Sequence, residues 1–232
     1  MDNLTLKLKI YQRLNKLASF DYDNIQDWQI IEAFNKGSVD WCRRQLHGTN
    51  YTKTGDEQSK RRIDDLQILL TVDTLTPSKQ DKYYSAIIPN DYFQYKRVSF
   101  KGKTDCCNVN DFVVYLVEEA NIDLYLRDPL KNPSFEWRET FCTLLGNTLK
   151  VFTNNKFDIS EIDITYYKQP RRIEFAGISN PYTGTVSTLD IESEFKDDVV
   201  ELLIDETVKI LAADIENYNT NQISESQVET NN

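Results

Sequence analysis

Between Lys82 and Gly177 the chain is a succession of short runs rich in β-branched and aromatic residues: KYYSAIIP, YKRVSFKG, FVVYLVEE, IDLYLRD, ETFCTLL, TLKVFT, DITYYKQ and RRIEFAG. Residues that pack well on a pleated surface, cut into short lengths by turn-forming residues, predict strands. TLLGNTLKVF is the clearest hairpin, with Gly146-Asn147 expected to supply the positive φ angles of a tight turn. In DITYYKQPRRIEF, Pro170 offers no ladder donor, which places it at an edge, a bulge or a strand end. Arg171 and Arg172 follow it directly. Neighbouring strand residues face opposite sides, so only one of the two can point at a given partner.

The flanking segments have a different period. Leu6, Ile10, Leu14 and Leu17 form one helical stripe, and Asp23 with Gln26 has the spacing of a capping box for a second helix. Trp28, Ile31, Phe34 and Trp41 carry that helix to a stop at His47-Gly48. A third helix is predicted where Ile63, Leu66, Leu69 and Leu70 fall on one side. Near the other end, Val200, Ile204, Val208, Leu211 and Ile215 make an apolar row, widened by Val199, Leu203 and Ala212. Glu194, Asp198, Glu201 and Asp205 make an acidic row on the same predicted helix. Residues 219–232 are polar and unpatterned and read as a flexible tail.

Charge is unevenly placed along the 232 residues. Twelve of the 37 acidic side chains but two of the 27 basic ones lie from Asp190 to Asn232, so the net charge of −10 resides there and the remainder is balanced. A basic nucleic-acid surface is not called for by this distribution. No apolar run is long enough for a membrane span, and the first residues lack the apolar core of a secretory signal. Cys42, Cys106, Cys107 and Cys142 follow no regular spacing, which reads as reduced thiols in a protein made in a cytoplasm.

Motifs that carry chemistry are weak. His47 is the one histidine and has no indicated triad partner. DYDNIQDWQIIE matches a calcium loop at its first, third and last positions but places Ile25 and Gln26 where an oxygen ligand and a glycine are needed. Adjacent Cys106 and Cys107 lack the separation of zinc-ligand pairs, and no phosphate-cradling glycine loop occurs. The pairs Asp64-Asp65, Glu118-Glu119 and Asp197-Asp198 read as solvated charge. The expectation is therefore no enzyme, no cofactor and no metal.

Five blocks resemble a virion structural protein of crAss-like phages, short-tailed phages of gut bacteria. They are YQRLNKLASFDYDNIQDWQIIEAFNKG, RRIDDLQILL, VYLVEEANIDLYLRDPLKNPSFEWRETFCTLL, YYKQPRRIEFAGISNPYTGTVS and FKDDVVELLIDE. The resemblance runs from about Leu4 to Ala213. It implies a ring protein of the head-to-tail connector, in about twelve copies, next to the portal and the tail proteins, with double-stranded DNA passing through without sequence-specific contact. By looser analogy, adaptor and gatekeeper rings of other short-tailed phages combine helices with a β domain, although fold likeness alone does not establish function.

These readings give an α+β fold: a helical bundle from residues 1–75 and 190–218, with a mainly antiparallel β domain, residues 80–188, inserted between its halves. The expected location is the virion. Arg171, Arg172, Glu194, Asp198, Glu201 and Asp205 are the candidate assembly contacts. The acidic row reads as too dense to be neutralised within the chain, which leaves it either to line the DNA channel or, the preferred reading, to meet arginine forks such as Arg61, Arg62, Arg171 or Arg172 on a neighbour. The alternative is a tail-associated module holding glycan or receptor through Tyr83, Tyr84 or Tyr182.

Overall fold

The computed structural model describes residues 1–15, 25–47, 64–104, 107–182 and 184–214. The chain divides into two compact units, one from Leu69–Gln169 and one from Met1–Ile68 with Pro170–Asn232. Leu17, Asp23, Gly48, Arg61, Arg62, Ile63, Ile215 and the tail from residue 219 lie outside the described residues.

The 69–169 unit is a pair of sheets. Its strands are β1 (Leu70–Leu75), β2 (Ser78–Lys79), β3 (Tyr83–Ile87), β4 (Tyr92–Thr104), β5 (Cys107–Asp111), β6 (Val113–Leu116), β7 (Glu139–Leu145), β8 (Thr148–Phe152) and β9 (Asp158–Lys168). One sheet has the order β1-β9-β4-β5 and the other β2-β3-β8-β7-β6. All pairings are antiparallel except β6 with β7, which run parallel. Alternate residues of the two sheets meet in one core. Tyr84, Ala86, Cys142, Leu149 and Val151 come from one sheet, and Val98, Phe100, Ile159, Ile162, Ile164 and Tyr166 from the other.

Ile159 and Ile162 both point inward although they are three residues apart, because a bulge opposite Phe100 and Gly102 absorbs the odd residue. The other face of β7 and β8 is also covered. Phe141 and Phe152 pack under Ile122, Tyr125 and Leu126 of a short helix, α3 (Ile122–Arg127). IDLYLRD, where a strand is predicted, is helical for that reason: Ile122, Tyr125 and Leu126 share one face at helical spacing. At the hairpin turn Gly146 alone takes positive φ, at 58°; Asn147 does not.

The other unit holds α1 (Asn3–Asn15), α2 (Asp27–His47) and α4 (Asp197–Asp214). Leu6, Ile10 and Leu14 are buried on α1, as the stripe predicts. The buried face of α2 is Ile30, Phe34, Trp41 and Cys42; Trp28 and Ile31, counted in its stripe from sequence, sit at its margin. Val199, Val200, Leu203, Ile204, Val208, Leu211 and Ala212 are buried on α4. Gly37 permits the close approach of α2 to α4, where a Cβ would lie 3.3 Å from Glu206 Cγ.

Much of this unit is extended chain. Residues 171–194 double back through bridges at Glu174↔Ile191 and Ser179↔Val186. Asn35 of α2 clamps the outgoing arm, accepting from the Ile173 N–H at 2.8 Å and donating to its carbonyl at 3.3 Å. Asn3 of α1 donates to the Glu174 and Ile191 carbonyls.

The expected helical bundle from both chain ends is thus corrected. Strands in two sheets dominate the fold, and buried asparagines tie extended backbone to the helices where a bundle would place more helix. Of the third predicted helix, residues 64–66 are helical and lead into a 3₁₀ turn at Gln67–Leu69, and the part before residue 64 lies outside the described residues; its end is corrected, since Leu70 opens β1, paired with Tyr167. A helical stripe cannot be told from a strand over so few residues, and pairing with β9 decides it.

Candidate functional site

The six candidate contacts fall in two places, and most of them find partners within the chain. On α4, Glu201 receives both Lys9 and Arg13 from α1. The Arg13 guanidinium also donates to the Glu201 carbonyl at 2.9 Å and to Asp205 Oδ1 at 2.5 Å. The three charged side chains at the centre are largely covered, with Arg13 29%, Glu201 33% and Asp205 16% exposed. Burial raises the Asp205 carboxyl above its ordinary value, and Arg13 opposes the shift. The Glu201-Asp205 half of the acidic row is therefore neutralised within the chain, by the basic side of α1. The sequence signal was present in Lys9 and Arg13, one turn apart and off the buried Leu6-Ile10-Leu14 stripe.

The other two acids behave differently. Glu194 precedes α4 rather than belonging to it, and its Oε1 accepts the Arg171 N–H at 2.8 Å. Asp198 is exposed in the first turn of the helix.

Arg171 and Arg172 begin the extended arm that follows β9, so Pro170 lies just beyond a strand end. The Arg171 guanidinium donates to the Glu192 carbonyl at 3.3 Å. Arg172 pairs with Glu32 of α2 at 2.7 Å, and Asn180 donates to the same carboxylate oxygen at 3.1 Å. The two arginines thus fix the arm, while the Arg172 side chain keeps 63% of its surface exposed. Beside them α2 and the arm enclose a cavity of about 490 Å³ lined by Trp28, Asn35, Arg172, Ile178 and Ile191. Trp28 also meets Tyr182 edge-on at 5.7 Å.

Tyr84, expected as an exposed aromatic in the glycan reading, is 5% exposed; its hydroxyl donates to Asp158 at 2.6 Å. Tyr182 is 77% exposed. Among the described residues no cluster of histidine, cysteine, aspartate and glutamate has metal-site geometry. Cys42 and Cys142 are buried free thiols, and burial pushes Cys142 up to about 12. No helix among the described residues is long and apolar enough to cross a membrane.

The feature not anticipated from sequence lies in the β unit. Edge strand β6 exposes Val113, Tyr115 and Leu116, and the loops beside it expose Leu130 (91%) and Trp137 (78%). Tyr115, Tyr125, Leu130, Trp137 and Phe141 line a groove of about 530 Å³, with Lys131 and Lys156 among the residues around it. Tryptophan and leucine in a polar, turn-rich loop were the available signal.

Comparison with protein-family models and with curated proteins returns no match.

Proposed function

We propose that this chain is a structural, non-catalytic virion protein, a subunit of a ring in the head-to-tail connector of a crAss-like phage. The observation that carries an assembly role is the apolar surface around β6, where Leu130 and Trp137 stand almost fully in solvent. Large apolar side chains gathered beside an unpaired strand edge are costly on an isolated protein and favourable once a partner covers them. The connector in particular rests on the five sequence blocks that resemble the phage protein. A closed ring requires two different, complementary surfaces on each copy. The ring would contain about twelve copies, adjoin portal and tail proteins, and let DNA pass.

Within this reading, Asp198, Arg171 and Arg172 are the candidate contacts that leave exposed surface for a neighbour. Glu201 and Asp205 act inside the subunit. Particles made without this chain should carry filled heads that fail to join tails. Normal tailed particles from the same deletion would reject the reading. A glycan-holding tail module is the second reading, favoured by Tyr182 standing exposed beside Trp28. It predicts glycan-array binding that disappears with Tyr182→Ala.

A further inference from the structure

The groove beside β6 has two properties that together select an occupant. The first is an open strand edge. Val113 and Val117 donate their N–H groups to Arg138 and Cys142, toward β7. Backbone groups alternate in direction along a strand, so Val114 and Leu116 turn theirs to the opposite side, where they have no partner among the described residues. An extended segment can add there as a further strand. The second property is the side-chain floor: Tyr115, Tyr125, Leu130 and Trp137 offer apolar and aromatic surface for alternate side chains.

Charge narrows the choice. Lys131 lies over the Tyr125 ring at 5.1 Å from its centroid, and Lys156 is held by the Pro133 carbonyl at 2.8 Å and Asn132 Oδ1 at 3.1 Å. Two ammonium groups therefore border the groove, against Glu139 in its lining and Asp128, which lies 3.9 Å from Lys131 and leaves part of that charge free. Residues 215–232, which follow α4, carry Glu216, Glu225 and Glu229 and no lysine or arginine. Ile223 and Val228 are apolar positions within that polar run. Fully extended, 18 residues reach about 60 Å.

We propose that residues 215–232 of one copy add to β6 of a second copy, with their carboxylates meeting Lys131 and Lys156 and an apolar side chain resting against Trp137. This deepens the ring reading, on which it rests for its biological setting. A segment donated to the next copy gives the head-to-tail surface that a ring needs.

The test mixes isotope-labelled and unlabelled full-length chain and applies a zero-length carboxylate-to-amine crosslinker. Expected are mixed-isotope crosslinks joining Glu225 or Glu229 to Lys131 or Lys156. Trp137→Ser and Leu116→Lys, both at exposed positions, should each lower their yield by about tenfold or more, as loss of an anchor residue at a small interface does. Crosslinks confined to single-isotope pairs would show that each copy covers its own groove and would overturn the proposal. Crosslinks to other lysines only, none at all, or a yield untouched by both substitutions would overturn it equally. Because the assay needs no particle, its failure is separate from failure of the connector reading, which the deletion phenotype decides.

Discussion

At Gly102 a hydrogen in place of a side chain decides whether four aromatic rings can meet. Phe100 stacks on Phe112 at 5.0 Å, and Phe157 packs on Phe112 at 4.5 Å, with Phe135 closing the group. A Cβ on Gly102 would stand 2.5 Å from Phe112 Cε2. Since Phe112 is wedged by the other rings, Gly102→Ala should destabilise the chain by about 1–3 kcal/mol, the usual cost of overpacking. Urea melts of the two proteins check this, and equal midpoints would mean that the ring swings aside freely. Cys142 gives a second residue-scale outcome. It is fully buried, and its thiol is pushed up to about 12 by that burial, so almost no thiolate exists near neutral pH. Peptide mapping after treatment with a thiol reagent should find Cys142 unmodified in the native protein and modified in denaturant. Native labelling at the rate of a free cysteine would contradict the packing described for β7.

Elements are where sequence and structure part company most instructively. β3, β4, β7, β8 and β9 fall where runs of β-branched and aromatic residues place them, because each such run must bury one or both faces. α1 is legible from Leu6, Ile10 and Leu14. What local pattern does not contain is the partner. IDLYLRD has the composition of a strand, but Phe141 and Phe152 present an apolar face that a single helical turn covers. Leu69 and Leu70 continue a helical stripe, but β9 pairs with the chain from residue 70 onward. The neutralisation of Glu201 and Asp205 is half legible: Lys9 and Arg13 mark a basic side of α1 in the sequence, but that this side lies against α4 is not written there. That seam has a pH signature. Burial raises the folded-state value of Asp205 above its unfolded one, so its ionised form costs stability, and the cost is relieved as pH falls through the raised value toward the unfolded one. Asp205→Asn should therefore flatten the dependence of stability on pH over the acidic range above the ordinary aspartate value of about 4. Chemical denaturation at several pH values measures it; an unchanged slope would show that the Asp205 environment is not as buried as its neighbours imply.

On the scale of the whole molecule, two compact units share a chain that leaves the helical side at residue 69 and returns at residue 170. The contact-making surface separates the same way. The helical unit uses most of its charged candidates for its own cohesion, whereas the β unit leaves an apolar edge open. Removing residues 219–232 should leave the thermal midpoint of the dilute, isolated chain unchanged, because their proposed place is on another copy. A large drop would show that they pack within the monomer. The proposed connector role is decided by density for this chain in a cryo-EM map of the phage particle to which the proposal assigns it. A closed ring of about twelve copies is expected between portal and tail, with an added strand along β6 in each. Finding the chain elsewhere in the particle, or absent from it, would refute that role.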